Sequence, residues 1–185
     1  MTRRSFLDVS RVRLGTLDLH RSKVNLVDVL RSALESSRLA AHSRSHEVEM
    51  HLAEEAIYVD GDPLRLIQIL GNLLNNAAKY TDANGRVSIR VSRGSGNAVV
   101  AITDSGIGIA ANKSDSIFDL FAQGGQAGSP RSQGGLGIGL HLAKRLVEAH
   151  GGVLKPPALD RAAGAPLRLN FAACDNLHVQ RSRPL

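Results

Sequence analysis
The order of elements along the sequence predicts a mixed α/β fold with helices on one face of a sheet. Three observations lead there. Three segments carry the apolar period of a helix, shorter segments between them alternate apolar and polar as strands do, and the two kinds are interspersed rather than segregated. A length of 185 residues, 43% of them hydrophobic, suits one domain plus tails. Such a domain buries roughly 70% of its unfolded surface. Aromatics are only 3% of the chain, so Leu, Val, Ile and Ala must fill the core.

Leu26 to roughly Ala41 reads as the first helix, with Val27, Leu30, Leu34 and Ala41 on its apolar stripe. Val48 to Leu52 and a shorter run from Ile57 to Val59 read as strands. Asp60-Gly-Asp62-Pro63 is a helix start, because Asp caps free N–H groups and proline at the first helical position gives up no bond it needed. That helix is expected to reach Tyr80, where Thr81 to Gly85 breaks the period. Arg86 to Ser92 alternates as a strand, Gly94 to Asn97 turns, and Ala98 to Thr103 returns as its hairpin partner. From Asp104 the chain is irregular, with Gly and Ser crowding 105–135 around one apolar insert, Ile117 to Phe121. A long glycine-rich segment within a compact domain is functional, disordered or a lid. Ile138 to His150 reads as the third helix, striped by Leu142, Leu146 and Ala149 and stopped by Gly151-Gly152. Val153-Leu154 and an alternating Leu167, Leu169, Phe171 strand close the fold, and Asp175 to Leu185 is a polar tail.

The formal net charge is +6, but the excess sits at the two ends and leaves the middle of the chain slightly acidic. An acidic core without interleaved aromatics is a poor nucleic-acid surface, so no nucleic acid is expected on it. The lone Cys174 excludes an internal disulfide, and no second Cys suggests a structural zinc site. No stretch approaches the ~18 apolar residues of a membrane span, and the N-terminus lacks an apolar signal core. No membrane insertion and a cytoplasmic setting are therefore expected. His42, His46 and His51 straddle a helix end, a loop and a strand, which suits surface histidines better than a zinc site.

Three signals carry chemistry. On the central helix, Leu66, Leu70, Leu73 and Ala77 form an apolar stripe, while Arg65, Gln68, Asn72, Asn76 and Lys79 recur beside it. Asn72, Asn76 and Lys79 therefore share one face. Asn is a weak helix former, at up to ~0.7 kcal/mol against Ala, and this helix holds Asn at 72, 75 and 76. An amide oxygen can ligate Mg²⁺ and an ammonium can meet a phosphate, although a solvated face reads the same way. Asp104 ends a strand and precedes Ser105-Gly106-Ile107-Gly108. Its carboxylate can accept from the amine of a heterocycle while the two glycines let backbone approach a flat ring, and in isolation the tetrapeptide is equally an ordinary turn. Gly134-Gly135-Leu136-Gly137-Ile138-Gly139 leads into the third helix and offers bare N–H groups at its positive end, an anion site. It lacks the Gly-Lys-Ser/Thr of a P-loop.

In this order and spacing, the three signals resemble the ATP-binding catalytic domain of sensor histidine kinases, two-component or hybrid. That domain falls within the class that also holds the gyrase, mismatch-repair and heat-shock chaperone ATPases. Residues 72–81 look like the N box of that family, 104–108 its first glycine box, Ile117 to Phe121 its phenylalanine box and Gly134 to Leu140 its second glycine box. Asp60 to Arg65 and Arg145 to Gly152 are also similar to stretches found there. The resemblance implies a two-layer α/β sandwich, a mixed sheet of about five strands on about three helices, with ATP between the central helix and a mobile lid at roughly 119–135.

Carried onto this chain, it gives Asp104 the adenine amine and Asn76 the Mg²⁺, with Asn72 and Lys79 near the phosphates. Tyr80 would lie beside the nucleotide, Gly106 and Gly108 under its ring, and Gly135, Gly137 and Gly139 on the triphosphate. Arg131 is a further candidate on its charge alone, since a guanidinium on the lid can offset charge during transfer. Where related ATPases place a water-activating Glu, this chain has Asn72, and an amide cannot act as that base.

The phosphoacceptor setting of the family, His-Glu/Asp-Leu-Arg-Thr-Pro, has no match in this chain. Leu7 to Leu19 looks like the tail of the preceding helical hairpin and its linker. The expected organisation is 1–22 as remnant and linker, 23–173 as catalytic domain and 174–185 as tail. The expected function is a kinase domain that binds Mg·ATP and phosphorylates a histidine supplied in trans, and through it a response regulator. A non-catalytic ATP-binding docking module is the alternative. Lys155-Pro-Pro157 and Gly164-Ala-Pro-Leu167 depart from the family near the last hairpin, as Asn112 to Ser116 does before the lid.

Overall fold
The computed structural model describes residues 18–37, 45–94, 96–108, 116–120, 137–155 and 167–172. Seven strands and three α-helices are found among them: β1 (Ser22–Asn25), α1 (Leu26–Glu35), β2 (Glu47–His51), β3 (Tyr58–Gly61), α2 (Pro63–Tyr80), β4 (Arg86–Arg93), β5 (Asn97–Asp104), α3 (Gly139–Ala149), β6 (Val153–Lys155) and β7 (Leu167–Ala172). A 3₁₀ turn, Ser116–Phe118, lies between β5 and α3.

The main sheet has five strands in the order β2-β4-β5-β7-β6. β2 runs parallel to β4 and every other pairing is antiparallel, so the sheet is mixed. Along β4 and β5, Val87, Ile89, Val91, Ala98, Val100 and Ile102 are buried and the residues between them are more exposed. That period of two turns one face to the helices and the other to solvent. Two layers result, with one apolar cluster between them that also takes in Leu66, Ile69, Leu70 and Leu74 of α2 and Leu146 of α3. Each such fully buried Leu or Ile stabilises the fold by about 1.5–3 kcal/mol relative to an exposed one.

α2 begins where the Asp-Pro signal places it. Asp62 Oδ1 accepts from the N–H groups of Leu64 (3.0 Å) and Arg65 (3.2 Å), with Pro63 in the first turn. Its apolar stripe is buried as expected, joined by Ile69, Leu74 and Ala78. Gly71 sits in the middle of this helix with nothing within 4 Å of where its Cβ would be. Gly71→Ala is therefore expected to stabilise the protein by about 0.5–1 kcal/mol, read as a rise in the urea midpoint with unchanged m.

The structure corrects the sequence reading in three places. The first helix ends at Glu35 rather than near Ala41, because the Ser36 hydroxyl bonds the Ser32 and Ala33 carbonyls and the Ser37 hydroxyl bonds that of Leu34. Its buried face is Leu26, Val29, Leu30 and Ala33. In α3 the buried positions are Leu142, Ala143, Leu146 and Val147, whereas Ala149 is exposed. β1 was not foreseen at all. It forms a separate two-stranded antiparallel ribbon with β3, Val24 opposite Val59, and Lys23 lies over the Tyr58 ring at 4.2 Å.

Candidate functional site
α2 positions the first group. Its apolar stripe faces the core, which leaves the half-buried Asn72 and Asn76 together on another flank, one turn apart. α3 packs against α2 there. A Cβ built on Gly139 would stand 3.8 Å from Asn72 Cγ and Oδ1, so the amide lies against the first residue of α3. Asn72 Nδ2 is buried and, among the described residues, has no hydrogen-bond partner. The start of α3 lacks a side-chain cap. Asn25 and Asp62 cap α1 and α2 through their side chains, whereas the N-cap of α3 is Ile138, which makes no such bond.

A buried donor left unmade costs about 1–3 kcal/mol. Here the side chain that carries it packs against the first turn of a helix, where the dipole favours negative charge. That donor set fits a polyphosphate. Gly137, just before the helix, holds φ +68°, a left-handed conformation that glycine adopts without strain.

The second group forms where β5 ends. Asp104 is largely withdrawn from solvent, and burial raises its pKa above the ordinary carboxylate value of 3.8. The Gly106 N–H, 3.0 Å from Oδ1, opposes that rise. With Oδ1 so engaged, Oδ2 is the oxygen left for a ligand donor. Gly106 is itself pressed against the end of α2. A Cβ there would collide with the Tyr80 carbonyl oxygen and stand 2.7 Å from Asp104 Oδ1. The close approach that glycine permits thus joins α2 to the Asp104 loop.

Lys79 and Tyr80 lie side by side at the C-terminal end of α2. The Lys79 ammonium is 3.3 Å from the Tyr80 hydroxyl and 4.9 Å from its ring centre. Arg65 and Gln68, on the same polar face, bond each other at 2.8 Å. The 3₁₀ turn is anchored to α3, with His141 Nδ1 3.0 Å from the Phe118 carbonyl and Lys144 over the Phe118 ring.

The structure thus joins Asn72 with Gly139, Lys79 with Tyr80, and Asp104 with Gly106. Gly108 follows on the same loop with φ +69°. Arg131, Gly135, Phe121 and nearly all of the expected lid lie outside the described residues, as do His42 and Cys174. His46 and His51 are turned to separate partners, the Thr81 carbonyl and Glu49. Two residues that the sequence reading gave no site role are buried here. Thr81 carries a hydroxyl with no partner among the described residues, and His150 bridges two helices. The sequence signals for them were a place at a helix end and membership of the family-like stretches 72–81 and 145–152.

Known proteins share this fold and family. Residues 61–168 match the family described as histidine kinase-, DNA gyrase B- and HSP90-like ATPase. The sensor protein kinase PmrB of Pseudomonas aeruginosa is 37% identical over 129 residues, covering 70% of this chain and 26% of that protein. This chain spans about a quarter of the length of such relatives. Among solved structures, the mycobacterial sensor histidine kinase MprB superposes with TM-score 0.70 at 29% identity, covering 83% of this chain and 97% of that one. Full-length ShkA in complex with AMPPNP gives 0.76 at 26% identity, over 91% and 34%. No helix among the described residues is long and apolar enough to cross a membrane. The chain belongs to the histidine kinase-, DNA gyrase B- and HSP90-like ATPases, and what it matches within them is the ATP-binding catalytic domain of sensor histidine kinases.

Proposed function
We propose that the chain binds Mg·ATP and donates the γ-phosphoryl group to a histidine supplied by another polypeptide, which in turn serves a response regulator. The observation that carries this reading is the Asn72 side chain, whose buried Nδ2 has no hydrogen-bond partner among the described residues, set against the start of α3, which has no side-chain cap. Those donors suit the phosphates, with Gly135, Gly137 and Gly139 presenting backbone and Lys79 a point charge. Asp104 takes the adenine amine through its free carboxylate oxygen, over the backbone of Gly106 and Gly108, and Tyr80 lies beside the nucleotide. Asn76 offers an amide oxygen to Mg²⁺. When bound, Mg²⁺ neutralises charge on the β- and γ-phosphate oxygens, and Arg131 adds to that from the lid. Asn72 lacks the basicity to take a proton from water, so transfer is favoured over hydrolysis. In this reading residues 23–173 are the catalytic unit and residues 1–22 a remnant of the preceding helical hairpin with its linker.

The test is incubation with a separately made phosphoacceptor hairpin and Mg·ATP labelled at the γ-phosphate. Acid-labile label on the hairpin is expected, with Asn76→Ala slowing its appearance about 10²-fold through loss of the metal ligand. Absence of label under every condition would sink the kinase reading and leave a nucleotide-binding docking module. Acid-stable label would indicate a serine kinase on the same scaffold.

A further inference from the structure
His150 follows the last residue of α3 and is buried there. Its ring joins two helices. Nδ1 stands 2.7 Å from the Leu146 carbonyl oxygen, and Nε2 stands 3.1 Å from the backbone nitrogen of Asp62. A carbonyl only accepts and a backbone N–H only donates, so Nδ1 carries the proton and Nε2 accepts. Only the neutral ring makes both bonds. Asp62 is the N-cap of α2, so the imidazole fastens the C-terminal end of α3 to the N-terminal end of α2. The fit is close. A Cβ on Gly61 would stand 3.1 Å from the ring and 2.8 Å from Leu66 Cδ1, so a side chain there would make both shift.

The other end of α3 is Gly139, against Asn72. At 11 residues the helix is about 16 Å long. A tilt of about 5° at the His150 end would move Gly139 by about 1.4 Å over that length. Displacements of about 1 Å at a reacting centre cost about 10² in rate. We propose that neutral His150 is a positioning residue for the phosphate site, holding α3 so that its first N–H groups and the Asn72 amide keep their spacing. The proposal rests on the nucleotide reading above.

The segment before β1 reaches the same place. The His20 N–H donates to Asp62 Oδ2 at 3.1 Å, and Arg21 donates to the Ala149 carbonyl at 2.7 Å. Arg21 also lies 3.5 Å from Asp60. Among the described residues, the charged groups around the ring include Arg21 from this segment, Asp60 from β3 and Asp62 at the head of α2. Burial is the largest influence and lowers the imidazole pKa below its ordinary 6.5. Arg21 acts in the same sense, while the Leu146 carbonyl, Asp62 and Asp60 oppose it. A protonated ring would set N–H against N–H at Asp62. The folded state therefore holds this proton less tightly than the unfolded chain. The stability His150 contributes is full above the ordinary imidazole value and is lost as pH falls below it.

The test uses the full chain and its variants His150→Gln and His150→Ala, with calorimetric Mg·ATP titrations from about pH 8 to about pH 5 and a melting curve at each point. Glutamine can place an acceptor close to the position of Nε2 and does not titrate. At the alkaline end, His150→Gln is expected to bind within about threefold of wild type and His150→Ala about tenfold more weakly. As pH falls, wild type is expected to lose at least about fivefold more affinity than His150→Gln. The terminal phosphate of the nucleotide also titrates near pH 6, but equally for both proteins, so their difference isolates the ring. Parallel pH curves for wild type and His150→Gln overturn the proposal, whether or not His150→Ala folds. Undiminished binding by folded His150→Ala overturns it too. A folded wild type that binds no nucleotide overturns the underlying nucleotide reading first, and this inference with it.

Discussion

Asp104→Asn is expected to weaken Mg·ATP binding by about 30- to 100-fold, or about 2–3 kcal/mol, without lowering the melting temperature. The Gly106 N–H already occupies Oδ1 of Asp104. Asparagine has one oxygen, so if it keeps that bond its NH₂ group faces the ligand amine, donor against donor. Stability moves the other way. Burial holds the Asp104 pKa above its unfolded value of 3.8, which means that the fold pays for the charged form at neutral pH. The stability associated with this group is fully present below the unfolded pKa and is lost as pH rises through the raised folded value. A neutral isostere removes that penalty, so the variant should melt at the same temperature or higher. Calorimetric titration beside a thermal melt reads both quantities. Weaker binding with a clearly lower melting temperature would show Asp104 to be structural instead.

Gly106→Ala is expected to be the more damaging change, costing about 2–3 kcal/mol of stability and abolishing nucleotide binding. The new Cβ would meet the Tyr80 carbonyl oxygen, a backbone atom at the end of α2, and the Asp104 carboxylate. The backbone oxygen cannot yield as the tip of a flexible side chain would. The loop must move, and its movement breaks the Gly106 N–H bond that orients Asp104. Equilibrium unfolding in urea measures the first effect and titration the second. Wild-type stability and affinity together would mean that the contact between α2 and this loop is not tight in solution.

Local signals in the sequence accounted for most of the frame. The Asp62-Pro63 start of α2, the alternation along β4 and β5 and the Gly151-Gly152 stop after α3 are short-range devices, each set by residues within a few positions of one another. The candidate site was legible only from the order and spacing of three signals together, since the helical period of Asn72, Asn76 and Lys79 and the Asp104-Ser-Gly strand end each also suit ordinary structure. β1 escaped because a four-residue strand with one buried apolar residue has no period of its own, and its partner lies some 35 residues further on. Arg131 and Gly135 rest on sequence alone, because they lie outside the described residues.

The sequence by itself determined the kinds and order of the elements from α1 onward, the α2 start and the residues proposed for a nucleotide, because capping, periodicity and turn chemistry act over one or two turns of chain. Only the tertiary structure decided which of those residues meet. It set Asn72 against Gly139, Gly106 against the Tyr80 carbonyl and His150 against the Asp62 N–H. The Asn72–Gly139 and His150–Asp62 contacts join positions 67 and 88 residues apart, and only the packing of α2 on α3 over a shared core brings such positions together.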